Sequence, residues 1–304
     1  MSNCHHHHHH HQSTDNIAVA FYLNLCFTII ELIGGIFTNS LAILSDAIHD
    51  LGDTIALGFS FFMEKLAKKN PDELFSYGYQ RFSLLAALIT AMVLVMGSGF
   101  IVIESIPRLL HPEDVHSQGM LLLALLGIAF NGLAALRLRH GKTLNEQAVS
   151  LHMIEDMLGW VGVLLTAIAI EIWQLTFLDP LFSLLFSLYI LFGALKNLKK
   201  TLLVFLQSTP DNIDSQHIET DILALPEVRE IHDTHIWSLD GAAHIFTAHI
   251  VLHPHHTMLE FAAIKHNIHH LLEHHHIHHS TLELEGAKES CSHKETHTHE
   301  HTTD

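Results

Sequence analysis

SDAIHDLGDTIAL, residues 45–57, interrupts a stretch that otherwise reads as membrane. Asp46, His49, Asp50 and Asp53 are flanked on both sides by Leu, Ile, Ala and Phe. At about 100° per residue, these four side chains share roughly one quarter of a helix circumference. An ionisable group at the bilayer centre costs about 2.5–3.5 kcal/mol on insertion scales, so such groups face a bundle interior or a wet cavity and keep a partner. For one such residue alone, an interhelical hydrogen bond or a helix-end cap is an equally good reading.

The surrounding chain sets the frame. Of its 304 residues, 48% are hydrophobic and 15% charged, against about a quarter charged in soluble domains. Six runs are long enough to cross hydrocarbon, at about 17–37, 40–63, 82–105, 118–137, 147–172 and 177–196. The sixth follows Asp179-Pro180, a helix-start signal. Basic residues alternate between the loops. Lys65, Lys68, Lys69 and Arg81 follow the second run, Arg137, Arg139 and Lys142 the fourth, and Lys196, Lys199 and Lys200 the sixth. The other loops hold little beyond Arg108. Positive-inside reasoning then puts both termini in the cytoplasm.

Beyond Gln207 the periodicity changes. Residues 211–225 form an amphipathic helix stopped by Pro226, and 228–239 and 242–252 are strands joined by a turn at Asp240-Gly241. Residues 257–275 have helical period and 279–285 alternate as a last strand. The expected class is therefore an all-α membrane bundle of six helices followed by a soluble α+β domain of order αββαβ. The divisions fall at 1–16 for an N-terminal tail, 17–207 for the membrane domain, 208–286 for the soluble domain and 287–304 for a polar tail.

A second stretch changes the weight of the first. In LHMIEDMLG, residues 151–159, His152 and Asp156 repeat the H-x-x-x-D spacing of His49 and Asp53. An i, i+4 pair puts both side chains on one helix face. Two such pairs on facing helices supply two imidazoles and two carboxylates, a tetrahedral set suited to Zn²⁺. A nitrogen and oxygen set without thiolate suits an ion that must leave again. Counted from the outer boundary the two pairs are offset on the order of 9 Å along their helices, which tilt would have to absorb. Metal binding requires neutral imidazole and ionised carboxylate, so such a site exchanges Zn²⁺ against protons.

Other classes recede. A net charge of −17 with His neutral argues against nucleic acid as a partner. The three cysteines, Cys4, Cys26 and Cys291, make no CxxC pair. The N-terminus lacks the basic region and cleavage site of a secretory signal. With no nucleophile motif or phosphate loop in view, an enzyme is not expected. Two rivals to a proton-coupled exporter stay open: a metal-gated channel, and a zinc-buffering or sensing membrane protein.

Together, ELIGGIFTNSLAILSDAIHDLGD (31–53), FSYGYQRFSLL (75–85), LHMIEDMLGWVG (151–162), DPLFSLLFSLYILFGALKNLKKTLLVFLQSTP (179–210) and IHDTHIWSLDG (231–241) resemble the cation diffusion facilitator transporters, which export zinc and related metals. The resemblance covers Ile17 to Gly286. It implies a transport site at His49, Asp53, His152 and Asp156, with zinc preference from a histidine at the first position. It also implies a homodimer, alternating access, and a ferredoxin-like cytoplasmic domain that binds zinc. That domain's ligands correspond to His232, His249, His278 or His279, and Glu285, with His235 an alternative to His232. Asp46 corresponds to a recurrent helper acid, while Asp50 has no assigned part. Some members carry a histidine-containing metal site in the loop after the second span; here 64–82 has no histidine and no such site is expected. The expected partners are Zn²⁺, protons and surrounding lipid, in a bacterial inner membrane. The His run at residues 5–11 reads either as a cloning tag or as a native metal-gathering tail, and the enrichment in THTHEHTTD favours the latter.

Overall fold

The computed structural model describes residues 9–67, 69, 71–138, 144–254 and 258–286. The chain divides into two compact units, one holding residues up to 70 and Leu85–Lys199, the other Pro71–Leu84 and residues from Lys200 onward. The first eight residues and the tail after Gly286 lie outside the described residues, and so do Lys68, Arg139 and Lys142.

Six long helices appear where the apolar runs fall: α1 (His9–Thr38), α2 (Leu41–Ala67), α3 (Phe82–Leu110), α4 (Ser117–Leu138), α5 (Leu144–Trp173) and α6 (Leu178–Phe205). Several outrun the expected spans, because an apolar run marks the part suited to hydrocarbon and not the helix end. α1 starts at His9, ahead of residue 17, and α6 continues through Lys199 and Lys200. Among the described residues five helices are long and apolar enough to cross a membrane, and α2 falls short. Asp46, Asp50 and Asp53 lie in its first half.

Close approach of the helices comes from small residues, as membrane helix packing requires. Trp160 of α5 is fully buried, and a Cβ added at Gly127 of α4 would lie 2.2 Å from its ring. Trp160 stands edge-on to Phe27 of α1, at 5.4 Å between ring centroids. Asp179, in the first turn of α6, ties that helix to the start of α2. Its carboxylate accepts from Ser40 Oγ at 2.5 Å and from the backbone N–H groups of Leu41 and Ala42 at 2.8 and 3.3 Å. Ser40 in turn accepts from the Ile43 N–H. The first turn of α2 is thus capped from another helix, which satisfies amides that would otherwise be orphaned.

The second unit has the order α7 (Ser215–Leu223), β1 (Val228–Ser238), β2 (His244–Leu252), α8 (Met258–His274), β3 (Ile277–Glu285). The strands form one sheet in the order β1-β2-β3, with β1 and β2 antiparallel and β2 and β3 parallel. The turn between β1 and β2 has Gly241 at φ +96° and the Asp240 carboxylate accepting from the Ala242 and Ala243 N–H groups. Ile218 and Ile222 of α7, Ile264, Ile268 and Leu272 of α8, and Phe246, Ala248 and Ile250 of β2 make one core. Alternation along β2 therefore turns His249 to the sheet face away from the helices.

Candidate metal centre

The polar stripe on α2 divides into two groups. His49 and Asp53 turn to α5. His49 Nε2 lies 3.5 Å from Asp53 Oδ2 and 3.7 Å from Asp156 Oδ1, while His152 Nε2 lies 3.0 Å from Asp53 Oδ2 and 3.7 Å from Asp156 Oδ2. The two imidazoles meet edge-on, with centroids 6.0 Å apart. A tetrahedral ion with bonds of about 2.0–2.2 Å separates its ligand atoms by roughly 3.4 Å. All four contacts fall around that value, with Asp156 turning Oδ1 to His49 and Oδ2 to His152, and one ligand atom from each of His49, Asp53 and Asp156 lies within 4.8 Å of the others. The axial offset expected from counting residues does not separate the pairs. Asp156 is buried, whereas His49, Asp53 and His152 keep side-chain exposures of 25, 20 and 30%. A partly open cage of this kind can admit an ion and release it.

Asp46 and Asp50 form the other group with Glu31 of α1. One ligand oxygen from each of the three lies within 4.8 Å of the others. Their exposures are 1% for Asp46 and 0% for Asp50 and Glu31. Asp46 also reaches α5, where a Cβ on Gly159 would meet its Oδ1 at 3.5 Å. Sequence reasoning missed Glu31, although an acid inside the apolar run of α1 was signal enough. Asp50, unassigned from sequence, acquires neighbours here.

In the second unit, His232 of β1, His249 of β2 and Glu285 of β3 converge. His249 Nδ1 lies 2.7 Å from Glu285 Oε1, His232 Nε2 lies 3.5 Å from the same oxygen, and the imidazole centroids are 5.3 Å apart. The register explains the meeting, since His232 pairs with His249 directly across the β1–β2 ladder. A bulge follows, between His232 and His235, with Asp233 at φ +50°. It re-aims Asp233, as bulges do, so that its Oδ2 comes to 3.6 Å from His249 Nε2. His235, the alternative to His232, instead contacts Asp233 at 3.2 Å and is half exposed. The side chain of His278 lies outside the described residues, while His279 packs edge-on against Tyr77. Asp233 had no sequence signal, because a bulge is invisible to strand alternation.

Clustered His and carboxylate in a helical membrane unit, and again on the sheet that follows it, are features of a transporter of metal cations. Residues 17–206 match the family described as "Cation efflux transmembrane domain", and 210–287 match "Cation efflux protein, cytoplasmic domain". The chain belongs to the cation efflux family, the cation diffusion facilitators. Among its relatives is the "Cadmium, cobalt and zinc/H(+)-K(+) antiporter" of Bacillus velezensis, 36% identical over 260 residues, covering 84% of this chain and 83% of the relative. The "Metal cation efflux system protein CzcD" of Cupriavidus metallidurans is 36% identical over 238 residues, 78 and 75% of the two chains. The "Zinc transporter ZitB" of Escherichia coli is 33% identical over 285 residues, 91 and 90%. The protein is thus an integral membrane transporter for efflux of divalent metal cations, not an enzyme, and its C-terminal unit is the family's cytoplasmic domain.

Proposed function

We propose that the protein expels divalent cations, chiefly Zn²⁺, from the cytoplasm in exchange for protons, and that His49, Asp53, His152 and Asp156 hold the ion in transit. The observation that carries this reading is the set of four imidazole–carboxylate contacts of 3.0–3.7 Å, two within α2 and α5 and two across them, near the ligand–ligand separation of a tetrahedral zinc site. Two carboxylates balance a divalent charge, and two imidazoles tune the set toward zinc over the harder ions. Because imidazole binds metal only when neutral, protonation of His49 and His152 expels the ion and deprotonation readmits it. In this reading all six helices span the membrane with both termini in the cytoplasm of a bacterial cell, and α2 crosses because its stripe is turned inward. Residues 17–207 transport and 208–286 form a ferredoxin-like, metal-binding domain that closes a homodimer, with His232, His249, Glu285 and His278 as its ligands. The tails, 1–16 and 287–304, gather metal.

Zinc flux in proteoliposomes, with and without an imposed pH gradient, tests this. Flux accelerated by the gradient is expected, and flux indifferent to it overturns proton exchange. Since the Bacillus velezensis relative is named for both H⁺ and K⁺, an imposed K⁺ gradient at constant pH forms a separate arm.

A further inference from the structure

The spacing H-x-x-x-D of the two membrane pairs recurs at His217 and Asp221, and here it lies on α7 of the cytoplasmic domain. Asp214 caps this helix by accepting from the His217 N–H at 3.1 Å. Ile218 and Ile222, fully buried, seat it in the core and leave the two polar residues along the edge of the buried stripe. That edge meets the turn that ends α8. His275 is held there by its N–H donating to the Leu272 carbonyl, and Leu272 is itself fully buried. The result is a cluster drawn from two elements. His275 Nε2 lies 2.8 Å from Asp221 Oδ2, His217 Nε2 lies 3.7 Å from the same oxygen, and the two imidazoles stand nearly perpendicular at 5.4 Å. One ligand atom from each residue lies within 4.8 Å of the others.

We infer that His217, Asp221 and His275 form a separate, exchangeable site for a divalent transition-metal ion, of the class Zn²⁺, Co²⁺ or Ni²⁺. Two imidazoles and one carboxylate are a borderline-soft set that disfavours Ca²⁺ and Mg²⁺, which take oxygen ligands. Three protein ligands leave a fourth position for water, the arrangement of open zinc sites. Side-chain exposures of 63, 37 and 21% for His217, Asp221 and His275 give the ion direct access from the cytosol and spare it a desolvation cost. The site is distinct from the His232–His249–Glu285 group, because His249 points to the opposite face of the sheet. A hydrogen-bonded latch between His275 and Asp221 would explain the 2.8 Å contact, but it has no use for His217. An ion bound to all three clamps α7 onto the turn before β3. Occupancy then stiffens the domain from its helical side, whether or not the membrane site carries zinc.

Hydrogen exchange read by mass spectrometry on the full-length protein in detergent, with and without buffered Zn²⁺, tests this locally and is not confused by the His-rich tails. Zinc at tenfold above the dissociation constant should slow exchange in 215–223 and 272–277 about tenfold where local opening releases the ion. The slowing should be lost in H217Q and in H275Q, persist in the H232Q/H249Q double variant, and not be produced by Mg²⁺. His217 is the more exposed ligand, so H217Q, with metal-free exchange matching wild type, remains decisive even where H275Q loosens the turn. The inference is overturned if zinc slows neither segment in the wild type, if H217Q retains the full effect, or if only H232Q/H249Q removes it.

Discussion

His152 Nε2 and Asp53 Oδ2 stand 3.0 Å apart although they belong to different helices and are not neighbours in either H-x-x-x-D pair. This cross-helix contact joins the two pairs into one group. Each carboxylate thereby faces both imidazoles.

Removing Asp53 should therefore remove transport, not trim it. Asp53→Ala in proteoliposomes is expected to lower zinc flux by about a hundredfold or more, since even outer partners of metal ligands are worth about 10–100-fold in affinity. Circular dichroism should show helix content unchanged. Retained flux would remove Asp53 from the site.

In the proposed site, His49→Asp replaces an imidazole nitrogen by a carboxylate oxygen. The variant is expected to transport still, with zinc affinity lowered on the order of tenfold and discrimination against Cd²⁺ or Mn²⁺ relaxed. Competition flux assays with paired metals read the ratio directly.

Packing between α4 and α5 gives a stability prediction. A Cβ at Gly127 would sit 2.2 Å from the buried Trp160 ring, whereas one at Gly132 would meet Met157 Sδ at an ordinary 3.5 Å. Gly127→Ala should destabilise the membrane unit by about 1–3 kcal/mol. Gly132→Ala should be close to neutral, with both read from unfolding in detergent.

Loss of the Asp179 carboxylate should act at a distance. It caps α2, so Asp179→Ala is expected to cost about 0.5–2 kcal/mol as a lost cap. By loosening the start of the helix that carries His49 and Asp53, it should also weaken zinc binding. Isothermal titration at a fixed pH, set beside the unfolding curve, separates the two effects.

On the cytoplasmic side, burial and then Lys265 hold the His269 imidazole below its ordinary pKa, against the pull of Glu273. Its Nδ1 lies 2.6 Å from Ser280 Oγ, a contact that ties α8 to β3. The folded state thus prefers the neutral ring. That contribution is fully present above the unfolded value of about 6.5 and is lost as pH falls through it toward the folded value. Exchange protection of α8 should drop between about pH 7.5 and 5.5, a window set around that unfolded value, and His269→Gln should flatten the change.

Much of this was legible in the residues. Apolar runs located all six long helices, the H-x-x-x-D repeat singled out four residues with imidazole–carboxylate contacts between α2 and α5, and the Asp240-Gly241 turn located the hairpin. What stayed hidden depends on contact across elements. Glu31 joins Asp46 and Asp50 only because α1 packs on α2, and Asp233 reaches His249 only through a bulge. His217 and Asp221 carry the same spacing as the membrane pairs, but within a histidine-rich domain they do not stand out until His275 arrives from the end of α8. Helix ends differ from expectation where polar residues continue a helix past its apolar run.

The cap on α2 also bears on order of assembly. Asp179 follows Leu41 by 138 positions, so the group that anchors α2 is synthesised after five of the six long helices. Until α6 is in place, the first turn of α2 lacks the carboxylate that caps it. A nascent chain stopped before residue 178 would carry His49 and Asp53 on a helix whose start is uncapped.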